Sequence, residues 1–120
     1  MARILIIDDD AQVREVMRRM LEREGYAVDL ACDGYEGLRS FSENRPDLVI
    51  TDILMPGMGG VETVMELRLL APDVKIIAMS GGDQIAPEYY LQVIKNFDTL
   101  QEMKKPIMRE QLLQAVRSVL

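Results

Sequence analysis

The sequence predicts an α/β domain in which helices cover both faces of a doubly wound parallel sheet. Continuous apolar runs, typical of strands buried on both faces, occur at residues 3–7, 48–51 and 74–79. Amphipathic stretches with helical spacing separate these runs. Strand and helix signals alternate five times in 120 residues, and right-handed crossovers convert that alternation into a doubly wound fold.

The five expected strands differ in the strength of their signals. The first, residues 3–7, is rich in β-branched residues and stops at three consecutive aspartates. Residues 48–51 and 74–79 are runs of the same kind. Residues 27–31 give a weaker second strand and residues 99–103 a still weaker fifth.

The first two expected helices carry end signals as well as apolar faces. Asp9 or Asp10 is placed to cap the first helix, and Gly25 is placed to end it. The second opens on Asp33, with Glu36 at the spacing of a capping box. The residues expected to face the core are Val13, Val16, Met17, Met20 and Leu21 in the first helix, and Leu38 and Phe41 in the second.

Three further helices are expected from apolar spacing. The third stops before Pro72, because a proline disfavours helical backbone in the residue that precedes it. The core-facing residues expected are Val61, Val64, Met65 and Leu69 in the third helix, Tyr90, Val93, Ile94 and Phe97 in the fourth, and Leu112, Val116 and Val119 in the last.

Composition restricts the chemistry that the chain can perform. It has no histidine and a single cysteine, which excludes an internal disulfide, imidazole base catalysis and Ser-His or Cys-His nucleophiles. Twenty aspartates and glutamates remain, so a bound metal should be one that prefers oxygen. The net charge of −6 argues against direct nucleic-acid binding. Without a membrane-length apolar run or a signal peptide, we expect a cytoplasmic single domain, residues 1–120, with no output domain in this chain.

Polar residues follow the expected strands at their carboxyl ends, where doubly wound sheets bind ligands. Asp8 and Asp9 follow the first strand, Asp52 the third and Ser80 the fourth, and Lys105 lies just past the fifth. Clustered carboxylates repel one another, and a divalent cation relieves that repulsion. Oxygen ligands of this kind suit Mg²⁺, which often takes a further ligand from a phosphate. The ammonium and the hydroxyl would then hold phosphate oxygens.

Four segments carry a family resemblance: residues 4–10 (ILIIDDD), 47–60 (DLVITDILMPGMGG), 78–81 (AMSG) and 105–106 (KP). In this order and at near-normal spacing, they make the whole chain similar to the receiver domain of a bacterial two-component response regulator, of the single-domain type. The resemblance implies a flavodoxin-like fold with five helices and a five-stranded parallel sheet in the order 2-1-3-4-5.

The resemblance also implies roles for the residues at the strand ends. Asp52 would accept a phosphoryl group from the phosphohistidine of a histidine kinase or a histidine phosphotransfer protein. The absence of histidine from this chain fits such a division of labour. Lys105 would pair with the phosphoryl oxygens, and Ser80 would swing toward them. The implied Mg²⁺ ligands are Asp8 (mainly through a bound water), Asp9, Asp52 and the backbone carbonyl of Leu54.

The expected function is therefore that of a signalling phospho-acceptor and not of an enzyme. Phosphorylation would switch a face that binds an unidentified downstream protein, and a phosphorylation-dependent dimer stays open. Two alternatives remain. One is a receiver-like interaction module that works without phosphorylation, and the other is a Mg²⁺-dependent phosphohydrolase that forms an aspartyl phosphate. The acidic cluster and Lys105 argue against the first, and the missing Gly-Thr after the aspartates argues against the second.

The sequence departs from the family pattern in three ways. Glu102 stands where relatives commonly carry Tyr or Phe, and Ile107 replaces the usual Phe after the proline. The stretch from Ser80 to Lys105 is a few residues longer than usual, which predicts a lengthened loop or fourth helix. All three departures cluster at one face, so we expect an ordinary active site and an altered output surface.

Overall fold

A computed structural model of the chain describes residues 2–53, 59–80 and 100–120, and these form a parallel sheet with helices on both faces. The strands are β1 (Arg3–Ile7), β2 (Ala27–Ala31), β3 (Leu48–Asp52), β4 (Lys75–Ser80) and β5 (Leu100–Lys104). The helices are α1 (Ala11–Glu22), α2 (Gly34–Glu43), α3 (Gly60–Leu70) and α4 (Arg109–Val119). The strand order is β2-β1-β3-β4-β5 and every neighbouring pair is parallel, which confirms the predicted fold class and order.

Some expectations fall outside the described residues. The helix expected at residues 90–97, the lengthened segment expected after Ser80 and the carbonyl of Leu54 all lie outside the residues that the structure describes. Within the described residues, no helix is both long enough and apolar enough to cross a membrane.

The strands end one residue later than predicted where it matters for the site. β1 and β2 have the predicted bounds, whereas β3 includes Asp52 and β4 includes Ser80. Asp52 pairs with Met79 in the β3–β4 register, and the backbone N–H of Ile53 donates to the Met79 carbonyl over 3.0 Å. The sheet's own hydrogen bonds therefore fix both polar residues.

The sheet separates two apolar layers, because successive residues of a strand point to opposite faces. From β1, Ile4 and Ile6 enter one layer, while Leu5 and Ile7 enter the other. The first layer is closed by buried residues of α1 and α4, which are Met17, Leu21, Leu112, Leu113 and Val116. The second is closed by residues of α2 and α3, which are Phe41, Val64 and Leu67.

The helix ends follow from local side-chain chemistry. Asp10 caps α1 by accepting a hydrogen bond from the backbone N–H of Gln12 at 2.9 Å. Asp33 caps α2 in the same way. Gly25 is not the C-cap of α1, which is Arg23. Instead, Gly25 adopts a φ of +91° in the turn that leads into β2.

The expected core face was wrong at three positions. Val16 is 48% exposed, Met65 50% and Leu69 77%. The α3 residues that are buried are Gly60, Val61, Thr63, Val64 and Leu67. Apolar spacing identifies a stripe but not its rotation about the helix axis. In α3 that rotation is set at its first residue, Gly60, which touches the end of β3.

Gly60 has no room for a side chain. A Cβ at this position would overlap the carbonyl oxygen of Asp52 and the Cα of Ile53, which are backbone atoms that cannot move aside independently. The N–H of Gly60 donates to the Ile53 carbonyl over 2.8 Å. A Cβ on the neighbouring Gly59 would come no closer than 4.0 Å to any atom of the described residues. Glycine is required at residue 60 and is dispensable at residue 59.

We therefore predict unequal costs for two adjacent substitutions. Gly60→Ala should lower the free energy of unfolding by about 2–3 kcal/mol, because α3 must move away from the end of β3. Gly59→Ala should cost about 1 kcal/mol or less, since it only weakens an N-cap. Urea unfolding of both variants measures the difference. Equal losses would contradict the close packing of Gly60 on β3.

Candidate phosphoryl-transfer and metal site

Three aspartates meet at the carboxyl ends of β1 and β3. Carboxylate oxygens of Asp8, Asp9 and Asp52 all lie within 4.8 Å of one another. Asp8 and Asp52 are buried, whereas Asp9 is exposed. The structure thus brings together the three side chains that the sequence placed in a metal site.

Asp8 is held by its backbone and by one carboxylate oxygen. Its N–H donates to the Ala31 carbonyl on β2, and the Arg14 guanidinium donates to its carbonyl over 2.7 Å. Oδ1 accepts a hydrogen bond from the Asp10 N–H at 2.9 Å. Oδ2 is buried and lies 2.9 Å from the Lys105 ammonium, with which it forms an ion pair. Because the same ammonium also pairs with Asp52, negative charge remains in the cluster for a bound cation to balance.

Lys105 neutralises part of the negative charge. Its Nζ donates a hydrogen bond to Oδ2 of Asp52 at 3.0 Å while it pairs with Asp8. Its backbone N–H donates to the Ser80 carbonyl over 2.8 Å, and its peptide bond to Pro106 is cis. Partial burial lowers the pKa of Lys105, but the two carboxylates outweigh burial, and the net pKa is raised. The ammonium is therefore charged at neutral pH.

Ser80 has a partner that the sequence did not reveal. It is buried at the end of β4, and its Oγ donates a hydrogen bond to Oε1 of Glu102 at 3.3 Å. In the register of β4 and β5, Ala78 pairs with Glu102 and Ser80 with Lys104, so Glu102 is the diagonal neighbour of Ser80. Glu102 was noted only as a departure from the family pattern. The sequence could not reveal this contact, because it does not give the register in which the weakly predicted fifth strand pairs with β4.

The arrangement can bind a divalent cation and a phosphoryl group together. Among the described residues at this edge, three carboxylates face one ammonium, which leaves negative charge for a cation to balance. An all-oxygen set suits Mg²⁺, and the residues present therefore fit the predicted metal. The Asp52 carboxylate is buried at the end of β3 and lies 3.0 Å from the ammonium, whose charge can stabilise negative charge on a transferring group.

A groove of about 310 Å³ lies beside these residues. It runs between α1 and residues 105–107 and is lined mainly by apolar side chains. Val16, which the sequence wrongly placed in the core, lines it and is half exposed. A largely apolar surface therefore lies next to Lys105.

Comparisons of sequence agree with this geometry. The family model of the response regulator receiver domain matches residues 4–117. The response regulator MprA of Mycobacterium sp. (strain KMS) is 37% identical over an alignment 120 residues long, which covers 98% of this chain and 50% of the relative. The chain thus spans about half the length of the curated relatives that it matches.

Comparisons of structure point the same way. The chemotaxis protein CheY4 of Vibrio cholerae has a TM-score of 0.89 at 31% identity, covering 100% of this chain and 99% of that one. A CheY-like receiver domain protein of Methanospirillum hungatei has a TM-score of 0.90 at 30% identity, covering 98% and 92%. The response regulator TrrA of Thermotoga maritima, solved in complex with Mg²⁺ and BeF, has a TM-score of 0.84 at 34% identity, covering 100% of both chains.

The buried Oδ2 of Asp8 predicts how Mg²⁺ should affect stability. A ligand that binds only the folded state raises the melting temperature, so millimolar Mg²⁺ should stabilise the wild type. Asp8→Asn should lose most of that gain, because it removes a buried charge from the cluster. Asp33→Asn changes an N-cap aspartate on α2 and should keep the gain. Thermal unfolding with and without Mg²⁺ measures all three. An undiminished gain in Asp8→Asn would contradict the proposed site.

Proposed function

Because the chain belongs to the response regulator receiver domain family, we propose that its Asp52 accepts a phosphoryl group from a phosphohistidine on a partner protein. The partner would be a histidine kinase or a histidine phosphotransfer protein. The observation that carries the proposal is the setting of Asp52. Its carboxylate is buried at the end of β3, bonded to the Lys105 ammonium and adjacent to two further aspartates.

In the proposed reaction, a carboxylate oxygen of Asp52 attacks the phosphorus. The new bond is an acyl phosphate O–P bond, the P–N bond to the imidazole breaks, and the imidazole keeps the electron pair. Lys105 already contacts the attacking carboxylate, so its charge is in place to pair with the phosphoryl oxygens as they become more negative. The Ser80 hydroxyl would donate a hydrogen bond to one of those oxygens.

Mg²⁺ would be held by Asp9, Asp52 and the carbonyl of Leu54, with Asp8 acting mainly through a bound water, and it would neutralise charge on the phosphoryl oxygens. The donor atoms support this assignment, because the side-chain ligands are all carboxylate oxygens that lie within 4.8 Å of one another, and a single ammonium balances only part of their charge. Leu54 stays a proposed ligand on the strength of its place in the sequence.

The product would be a signal and not a turned-over substrate. We place the chain in the cytoplasm as a phospho-acceptor that switches a face for a downstream protein, with a phosphorylation-dependent dimer as one form of that switch. The phosphohydrolase and the phosphorylation-independent module gain no support from the site. Buried Asp52 and charged Lys105 together suit transfer from a reactive donor.

The phospho-acceptor assignment has a direct test. With Mg²⁺ and acetyl phosphate, the wild type should gain the mass of one phosphoryl group, and Asp52→Asn should gain none. Asp47→Asn, at the other end of the same strand segment, should be modified like the wild type. Intact-protein mass spectrometry reads out all three. Modification of Asp52→Asn at the wild-type level would sink the assignment.

The groove beside Lys105 supports a docking role for α1. Val16 is exposed there, and an apolar contact from a partner helix would cover it. Val16→Asp should therefore slow phosphoryl transfer from a phosphorylated histidine phosphotransfer protein at least about ten-fold, as loss of a well-packed contact does. Modification by acetyl phosphate should stay unchanged, because that donor needs no docking surface. If Val16→Asp slowed modification by both donors, the docking role would be contradicted, because the substitution would then affect the phosphoryl-transfer step itself.

A further inference from the structure

The hydrogen bond between Ser80 and Glu102 connects the proposed phosphoryl site to β5. Ser80 is 7% exposed, and its Oγ donates a hydrogen bond to Oε1 of Glu102 with 3.3 Å between the two oxygens. Glu102 itself is exposed on β5. The acceptor is thus an anionic side chain at the surface, while the donor is a buried hydroxyl at the sheet edge that carries the aspartates.

A serine hydroxyl has one proton to donate. It can donate one strong hydrogen bond, either to the Glu102 carboxylate or to a phosphoryl oxygen on Asp52, but not to both at once. A carboxylate and a phosphoryl oxygen are both charged acceptors, and hydrogen bonds to either are stronger than those between neutral groups. The two acceptors therefore compete for the same hydroxyl.

The backbone leaves the side chain of Ser80 free to choose. The carbonyl of Ser80 accepts from the Lys105 N–H at 2.8 Å, and its register partner on β5 is Lys104. These contacts fix the main chain of the residue. A change of acceptor begins with rotation of the hydroxymethyl group about its Cα–Cβ bond, which is a fast movement.

We propose that Glu102 is a positioning residue, which holds the Ser80 hydroxyl in the unphosphorylated state and competes with the phosphoryl group for it. The inference rests on the proposed function, because it needs a phosphoryl group on Asp52. Glu102 raises the threshold for activation. When the Ser80 hydroxyl donates to the phosphoryl group instead, the Glu102 carboxylate on β5 loses this hydrogen bond. The hydrogen bonding of a surface carboxylate then differs between the two states of a buried site.

The experiment is a double-mutant cycle on the binding of beryllofluoride, a phosphoryl analogue, in the presence of Mg²⁺. The four proteins are the wild type, Glu102→Ala, Ser80→Ala and the double variant, and isothermal titration calorimetry gives each Kd. Glu102→Ala should tighten binding about three- to ten-fold, the range expected for the loss of one competing hydrogen bond. In the Ser80→Ala background, the same change should have less than about a two-fold effect.

Glu102→Gln separates a competing hydrogen bond from simple charge repulsion. The amide keeps an oxygen that can accept from Ser80, so this variant should stay closer to the wild type than to Glu102→Ala. Circular dichroism and thermal unfolding check that every variant is folded.

Three outcomes of these titrations would overturn the proposal. If Glu102→Ala tightens binding equally with and without the Ser80 hydroxyl, then Glu102 acts only through its charge. If it has no effect in the wild-type background, then it does not compete at all. If the wild type itself binds no beryllofluoride, the proposed phospho-acceptor function fails as well, and this outcome is distinct from the first two.

Discussion

The charge balance around Lys105 is the interaction on which the site depends. One ammonium lies 2.9 Å from a buried oxygen of Asp8 and 3.0 Å from a carboxylate oxygen of Asp52. Burying two carboxylates side by side costs several kcal/mol unless a positive charge accompanies them. The ammonium supplies part of that charge, and a divalent cation would supply the rest. A folded chain without Lys105 would hold uncompensated negative charge at the edge of its sheet.

The parallel sheet makes this arrangement possible because it brings every strand's carboxyl end to one edge. Asp52 and Ser80 are the last residues of β3 and β4, so the sheet's hydrogen bonds position them directly. Gly60 lets α3 begin against the backbone of Asp52, which closes the other side of that strand end. Strand ends thus hold Asp52 and the other carboxylates in fixed positions, whereas the Ser80 hydroxyl can rotate between two proposed hydrogen-bond acceptors. The fixed carboxylates suit the proposed phosphoryl transfer, and the rotating hydroxyl suits the proposed switch.

The sequence predicted most of the architecture and the residues of the site, for physical reasons. Asp8 and Asp52 each interrupt an apolar run, and a polar residue that ends a buried parallel strand belongs to the functional edge. What it did not predict depends on relations between elements. Met65 and Leu69 were misplaced because spacing does not give the rotation of a helix, which Gly60 sets by touching β3. The bond from Ser80 to Glu102 depends on the register of β5, whose signal was the weakest of the five.

The central claim is that Asp52, among the three clustered aspartates, is the one that takes the phosphoryl group. The most direct measurement locates that group after the protein reacts with acetyl phosphate and Mg²⁺. Borohydride reduces an acyl phosphate to an alcohol, so the phosphorylated aspartate becomes homoserine, and peptide fragmentation by mass spectrometry identifies its position. We expect homoserine at residue 52 and unmodified aspartate at residues 8 and 9. Homoserine at either of those two residues, with residue 52 unchanged, would contradict the account.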